Sequence, residues 1–171
     1  MVAVAAAVAA LAILRLSGDG ADGGGGATPG TATVVEVVDG DTLVVDLDGH
    51  EEHVRLIGID TPETVAPDQP DECYGAEASH HLAELVPPGS VVRLERDIEA
   101  RDMYDRLLAY MHRADDDLFV NLAQVADGYA ETLAYPPNTA HRGDFEEAQR
   151  RARTAGAGLW SACGSADVPI G

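Results

Sequence analysis

The sequence contains no lysine. All of its 11 basic residues are arginines, and they face 30 Asp and Glu residues, so the formal net charge is −19. A chain with this balance has no broad basic surface for nucleic acid, so any function that involves phosphate must depend on a few placed arginines. Strong acidity without lysine is also typical of proteins that stay soluble in concentrated salt, where ions screen the repulsion between carboxylates. We therefore interpret most of the charge as an adaptation to high salt.

Cysteine is also scarce. Cys73 and Cys163 are the only two, and no cluster of Cys and His residues is present that would suggest zinc. Two cysteines fit an exported protein with one disulfide, although two unrelated thiols are the alternative.

Long apolar runs are confined to the start of the chain. Residues 1–14 are all apolar, a length that suits the core of a signal peptide or a weak anchor better than a full membrane span. A segment rich in Gly, Ala and Asp follows and has nothing to bury, which is typical of a flexible linker. The sequence therefore predicts a signal peptide or membrane anchor over 1–16, a linker over 17–32, a folded domain over 33–163 and a tail over 164–171.

The folded part reads as strands first and helices later. Three β-rich runs after Thr33 are separated by Asp39-Gly40 and Asp48-Gly49, which favour tight hairpins. Two more strands are predicted over 90–102 and 106–114, and helices over 73–86, 118–130 and 144–155. We expect an α+β, mainly β, fold: a five-stranded OB-type barrel with three helices. Asp117 is expected to cap the second helix, and His80 and His81 are expected on the surface of the first.

Carboxylates converge at one end of the predicted three-strand meander. The first hairpin places Asp41 beside the end of strand one, and the second brings Asp60 to the same end. With Glu63 nearby, these oxygen ligands suit calcium or magnesium. An ideal strand would put Arg55 and Asp60 about 16 Å apart and on opposite faces, so the chain must bend before Asp60.

Two arginines complete a set of groups suited to phosphodiester hydrolysis. Arg55 and Arg106 offer planar forks that match phosphate oxygens. A metal and these arginines would stabilise charge on the phosphate, while Glu63 orients or deprotonates a water. Each residue alone has an ordinary structural explanation as a turn, a cap or an exposed strand position. Their convergence favours the functional one.

The motifs "VVDGDTLVV", "VRLIGIDTPET", "YGAEAS", "DMYDRLLAY" and "GLW" occur in this order across residues 33–163. In order and spacing they resemble the thermonucleases, the family of staphylococcal nuclease. The resemblance implies an OB-type barrel with three helices and calcium-dependent cleavage of DNA and RNA to products with 3′-phosphates. It also implies a role for each matching residue: Asp41, Asp60 and the Thr61 carbonyl as calcium ligands, Glu63 as general base near the metal, Arg55 and Arg106 as the phosphate-binding pair, Tyr104 as a nucleotide contact and Tyr135 near the base pocket.

Two positions depart from the family pattern. Asp105 stands where a glycine is expected and places an acid beside Arg106, and Leu133 replaces an aromatic residue near the nucleotide. The leading hypothesis is a monomeric calcium-dependent nuclease, secreted or anchored to the outer face of the membrane. The alternative is a catalytically weak module of the same fold that binds nucleic acid or calcium. Such a module would be expected to have lost Glu63 or one arginine, and all of them are present.

Overall fold

A computed structural model describes residues 30–64 and 72–169. The predicted leader, most of the predicted linker and the last two residues of the predicted tail lie outside the described residues. Within the described ranges, no helix is long and apolar enough to cross a membrane.

Strands dominate the first half of the described chain and helices the second. The strands are β1 (Thr31–Val37), β2 (Thr42–Leu47), β3 (His50–Leu56), β4 (Gly58–Asp60), β5 (Val91–Glu95), β6 (Leu107–Arg113) and β7 (Glu131–Leu133). The helices are α1 (Gly75–Leu85), α2 (Val120–Ala126), α3 (Arg142–Ala155) and α4 (Leu159–Ala162).

Five of these strands close into a barrel in the order β1-β2-β3-β6-β5. Neighbours are antiparallel except β3 and β6, which run parallel. The remaining strands, β4 and β7, form a separate two-stranded sheet. The predicted OB-type barrel is therefore confirmed, whereas the small sheet and the short helix α4 were not predicted.

The barrel interior is filled by side chains that alternate along the strands, as a half-buried strand requires. Leu43 and Val45 of β2 and Val54 and Leu56 of β3 are fully buried. Each such side chain contributes about 1.5–3 kcal/mol by leaving water. Helices α1 and α2 close one side of this core with buried Leu82, Val120 and Val125. This packing makes the barrel a rigid support for the loops at its ends.

The start of α2 differs from the prediction. Phe119 precedes its first residue, and no side chain caps the helix. Asp117 lies in a turn with φ 58° and accepts a hydrogen bond from Arg93 at 2.8 Å instead. The prediction of Asp117 as the cap is therefore wrong, because a nearby arginine engages its carboxylate.

The two cysteines are bonded in the structure. The Cys73–Cys163 bond, with S–S 1.98 Å, joins the chain just before α1 to the end of α4. The chain after Cys163 stays on the domain: Ala166 is buried, and its backbone N–H donates to Glu131 at 2.5 Å. The segment predicted as a tail thus packs against the domain in its described part.

Candidate active site

A sharp bend after β3 brings Asp60 back towards Arg55. Gly58 lies in the left-handed region with φ +84°, and a Cβ there would stand 2.3 Å from the Phe145 ring. Arg55 Nη2 therefore lies 3.0 Å from Asp60 Oδ1, whereas a straight strand would hold the two Cα atoms about 16 Å apart and the side chains on opposite faces. The bend that the sequence requires is made at a position where only glycine fits.

The Arg55 guanidinium bridges the two aspartates. Its Nη1 lies 2.9 Å from Asp41 Oδ2 and donates to the carbonyls of Leu56 at 2.7 Å and Ile59 at 3.0 Å. One positive charge thus faces two carboxyl groups, so the cluster carries a net negative charge when both are ionised.

Asp41 is buried, and its carboxylate is held from several directions. Oδ1 accepts from the Thr42 hydroxyl at 3.1 Å, and Oδ2 accepts from the Thr61 backbone N–H and hydroxyl, both at 3.1 Å. Burial raises the pKa of Asp41 to about 7, although Arg55 acts in the opposite direction. Burial likewise raises the pKa of Asp60 against the effect of Arg55. Arg55 alone therefore does not offset the desolvation of buried Asp41 and half-buried Asp60.

These residues fit a hard divalent cation. Among the described residues, no three His, Cys, Asp or Glu side chains form a metal-binding group, so the carboxylate ligands that the cluster offers are those of Asp41 and Asp60, which both contact Arg55. Carboxylate oxygens are ligands that hard divalent cations prefer, and water can complete their coordination. The Asp60 side chain is 36% exposed, which makes the cluster accessible, and a second cation would balance its excess negative charge.

Glu63 lies on the loop after β4 and is half-buried. Its backbone N–H donates to Glu72 Oε2 at 2.7 Å, and its own Oε1 accepts from the Thr64 N–H at 2.9 Å. These bonds fix the loop that follows the buried Thr61. The carboxylate that the sequence proposes as general base is thus bound to the backbone of its own loop.

A cleft of about 410 Å³ collects the other predicted residues. Arg55, Arg106, Tyr104 and Tyr135 all line it, together with the apolar side chains of residues such as Leu133 and Met103. Both tyrosines are 73% exposed. Asp41, Asp60, Thr61 and Glu63 are not among its lining residues. Asp41 and Asp60 contact Arg55, which therefore belongs to both the cleft and the carboxylate cluster.

Arg106 is oriented by Asp102, a residue that was not predicted to belong to the site. Asp102 accepts from the Arg106 backbone N–H at 2.9 Å and from its Nε at 2.7 Å. Asp102 also accepts from the Tyr104 N–H at 3.0 Å. The signal available in the sequence was an aspartate four residues before an arginine in a turn.

Asp105 does not contact the neighbouring Arg106 with its side chain, although its position in the sequence suggested that it would. Its backbone adopts φ 65°, in the region that glycine adopts without strain, and its Oδ1 lies 3.6 Å from Arg101 Nε. Arg101 in turn binds Glu52 of β3 through both terminal nitrogens, at 2.9 and 2.8 Å. Asp102, not Asp105, thus makes the ion pair with Arg106. The Asp105 carboxylate instead lies near Arg101, which joins this loop to Glu52 of the barrel.

Comparison with known proteins gives consistent matches. Residues 53–162 match the family described as staphylococcal nuclease homologue. The thermonuclease of Staphylococcus intermedius is 43% identical over 127 residues, 74% of either chain. The thermonuclease of Staphylococcus hyicus is 36% identical over 164 residues, which cover 94% of this chain and 95% of that one. The SPbeta prophage-derived endonuclease YokF of Bacillus subtilis is 37% identical over 131 residues, 75% of this chain and 43% of the relative.

Proposed function

Because this chain belongs to the staphylococcal nuclease family and is a nuclease, we propose that it hydrolyses DNA or RNA with the help of calcium and leaves 3′-phosphates. The observation that carries the proposal is the position of Arg55, which contacts the carboxylates of Asp41 and Asp60 and also lines the cleft with Arg106. A phosphate bound by the two arginines would therefore lie next to the carboxylate cluster.

In this proposal the chain's own residues divide the work. Arg55 and Arg106 bind the phosphate oxygens and stabilise the charge that develops on them. Glu63 removes a proton from the water that attacks phosphorus. The bond from phosphorus to the 5′ oxygen breaks, that oxygen takes up a proton from solvent to become a 5′-hydroxyl, and the phosphate stays on the 3′ side. Tyr104 and Tyr135 contact the nucleotide across the cleft. Calcium, held by Asp41, Asp60 and the Thr61 carbonyl, would supply positive charge beside the phosphate.

We further propose that the enzyme acts as a monomer outside the cytoplasm, either secreted or anchored at the outer membrane face through residues 1–16. The disulfide between Cys73 and Cys163 supports this, because such bonds persist in oxidising compartments. The Gly-rich segment between residue 16 and the start of β1 at Thr31 would then act as the linker to the folded domain.

Digestion of single-stranded DNA and RNA with calcium, magnesium or excess chelator tests the proposal. We expect cleavage with calcium, weaker cleavage with magnesium and none with chelator, because the oxygen ligands allow irregular coordination. Glu63→Gln should retain substrate binding and lose about 10²-fold or more in kcat, because an amide cannot accept the proton. Full activity in chelator would exclude the metal, and unchanged kcat in Glu63→Gln would exclude Glu63 as the base. Binding without cleavage would identify a binding module instead.

A further inference from the structure

A buried glutamine contacts the turn that carries Asp41. Gln124 of α2 is fully buried, and its Nε2 donates to the carbonyl of Gly40 at 2.7 Å and to that of Ala78 at 3.2 Å. The Gly40 carbonyl belongs to the peptide unit that ends at the Asp41 nitrogen. Gln124 therefore holds one side of the peptide bond that leads into the carboxylate cluster.

The same peptide unit is held on its other side as well. The Asp41 N–H donates to Asp39 Oδ1 at 3.0 Å. A Cβ at Gly40 would lie 2.7 Å from Thr61 Oγ1 and 2.9 Å from the Ala78 Cβ. This turn thus has little room to move, and a rotation of the peptide would disturb Thr61, which itself donates to Asp41.

The Gln124 side chain has one favourable orientation. Because two backbone carbonyls face one end of the amide, the nitrogen must lie at that end and the oxygen at the other. That oxygen, Oε1, lies 2.5 Å from His81 Nδ1, so Nδ1 carries the proton and donates.

His81 is itself fixed, contrary to the expectation of a surface histidine. Its ring stacks on Tyr129 with centroids 3.9 Å apart, its Nε2 lies 3.3 Å from Asp127 Oδ2, and its side chain is only 13% exposed. His80, in contrast, is exposed as expected. A chain of contacts thus runs from His81 through Gln124 to the peptide bond before Asp41.

We propose that Gln124, oriented by His81, is a positioning residue that fixes the Gly40–Asp41 peptide and thereby aims the Asp41 carboxylate. This inference rests on the proposed function, because it assigns Gln124 to the same cation and phosphate site. An apolar side chain of similar volume would fill the space without burying polar atoms. The role of the buried amide is therefore to fix the position of the peptide. Its removal should change calcium affinity and kcat as well as the free energy of unfolding.

Three variants separate positioning from packing. Gln124→Leu removes both hydrogen bonds to the backbone and replaces the amide with an apolar side chain of similar volume. His81→Phe keeps the aromatic stack on Tyr129 and removes the donor to Gln124. Val125→Ala is the matched control, because Val125 is also fully buried in α2 but has no polar contact with the Gly40 turn.

The readouts are the calcium dissociation constant by titration calorimetry without nucleic acid, kcat and KM on a single-stranded oligonucleotide, and the free energy of unfolding. Gln124→Leu should weaken calcium binding about 10-fold or more, as the loss of supporting contacts around a metal site commonly does. It should lower kcat and leave KM near the wild-type value, because Arg106 and Tyr135 are not affected. His81→Phe should weaken calcium binding and lower kcat to a smaller extent. Val125→Ala should lower only the free energy of unfolding.

Wild-type calcium affinity and kcat in Gln124→Leu would overturn the inference, as would equal losses in Val125→Ala. If Gln124→Leu does not fold, His81→Phe decides in the same way. A wild-type protein that binds calcium without cleaving would refute the proposed function while leaving the calorimetric test of Gln124 valid. A wild-type protein that does not bind calcium would refute both.

Discussion

At the scale of single residues, the proposed role of Arg106 depends on the planar shape of its guanidinium group. Its Nε is engaged by Asp102 at 2.7 Å, while the guanidinium as a whole lines the cleft. A lysine has one nitrogen and cannot make both contacts. Arg106→Lys should therefore lower kcat/KM by about 10- to 100-fold, the equivalent of one charge-assisted hydrogen bond of about 1.5–3 kcal/mol. Steady-state kinetics on a single-stranded oligonucleotide measures this.

Arg142→Lys is the matched control for that experiment. Arg142 is exposed at the start of α3 and pairs with Glu146 at 2.6 Å, a surface contact that contributes about 1 kcal/mol or less. It should retain wild-type kinetics and stability. Equal kinetic losses in the two variants would remove Arg106 from the phosphate-binding pair.

Asp41 should make stability depend on pH in the absence of metal. Burial raises its pKa from the ordinary 3.8 to about 7 in the folded protein. Between these values the folded state binds more protons than the unfolded state, so the contribution of Asp41 to the free energy of unfolding falls as pH rises. Asn at this position resembles the protonated acid and does not titrate. In chelator, the stability of Asp41→Asn relative to wild type should increase between about pH 4 and 7 and level off above.

Denaturant unfolding of both proteins across pH measures this difference. A constant difference across the range would mean that the pKa of Asp41 is the same in the folded and unfolded states. Asp41→Asn should also bind calcium weakly at every pH, because an amide carries no negative charge.

At the scale of elements, the bend between β3 and β4 decides whether the carboxylates meet. Gly58→Ala would place a methyl group 2.3 Å from the Phe145 ring on a backbone with φ +84°. The left-handed backbone costs about 1–2 kcal/mol for a residue with a Cβ, and the overlap adds about 1–3 kcal/mol. We expect stability to fall by at least about 2 kcal/mol and calcium affinity to fall with it, because Arg55 and Asp60 are joined through this bend.

Gly89→Ala provides the control for the bend. Gly89 has φ +91°, and a Cβ there would meet nothing within 4 Å, so the substitution introduces backbone strain without overlap. Its destabilisation should be smaller, and its calcium affinity should match the wild type. If both variants lost the same stability and neither lost calcium affinity, the bend would not hold the site together. Calorimetric titration and denaturant unfolding provide both measurements.

The sequence predicts those elements that local chemistry determines. The Asp-Gly pairs and alternating apolar residues were enough to place β1, β2 and β3, and the same geometry led to the expectation that Asp41 and Asp60 would share one end. The pairing of β4 with β7 was not predictable in this way, because it joins segments more than 70 residues apart and each strand has only three residues.

Side-chain partners were harder to predict than elements. His81 follows His80 on a helix and looked equally exposed, yet it stacks on Tyr129 because the chain after α2 folds back over α1. Asp102 and Asp105 both precede Arg106, and only the turn geometry decides that Asp102 binds it. Such choices depend on tertiary contacts that no local pattern specifies.

At the scale of the whole molecule, the charge of −19 opposes the approach of a polyanion. Several arginines are also unavailable to phosphate, because they already contact carboxylates. These pairs are Arg93 with Asp117 and Arg101 with Glu52 at 2.8 Å, and Arg113 with Asp115 at 3.2 Å. Few of the described positive charges therefore remain for nucleic acid. Salt screens repulsion beyond about 8–10 Å near physiological ionic strength, whereas contacts within the site are screened less.

We therefore expect both activity and thermal stability to rise as monovalent salt increases from low to molar levels. This is opposite to the usual weakening of nucleic-acid binding when a basic protein releases counterions. The cleavage rate at fixed calcium across a potassium chloride series, with circular dichroism to monitor the fold, measures it. A steady fall in rate from the lowest salt, with the fold intact, would show that the acidic surface is not a high-salt adaptation.

The closure of the barrel also implies an order of assembly. The β1–β2–β3 meander pairs residues that are close in the chain, whereas the parallel β3–β6 seam joins Val54 to Leu107. Contacts between distant residues form late, because a long loop must first be closed. Asp41 and Arg55 lie in the early meander, while Arg106 reaches Arg55 only across the late seam. During refolding, Asp41 and Arg55 would therefore come together before Arg106 and Asp60 join them, since Asp60 lies on β4, which pairs with the distant β7. Catalytic competence would be the last property that the chain acquires.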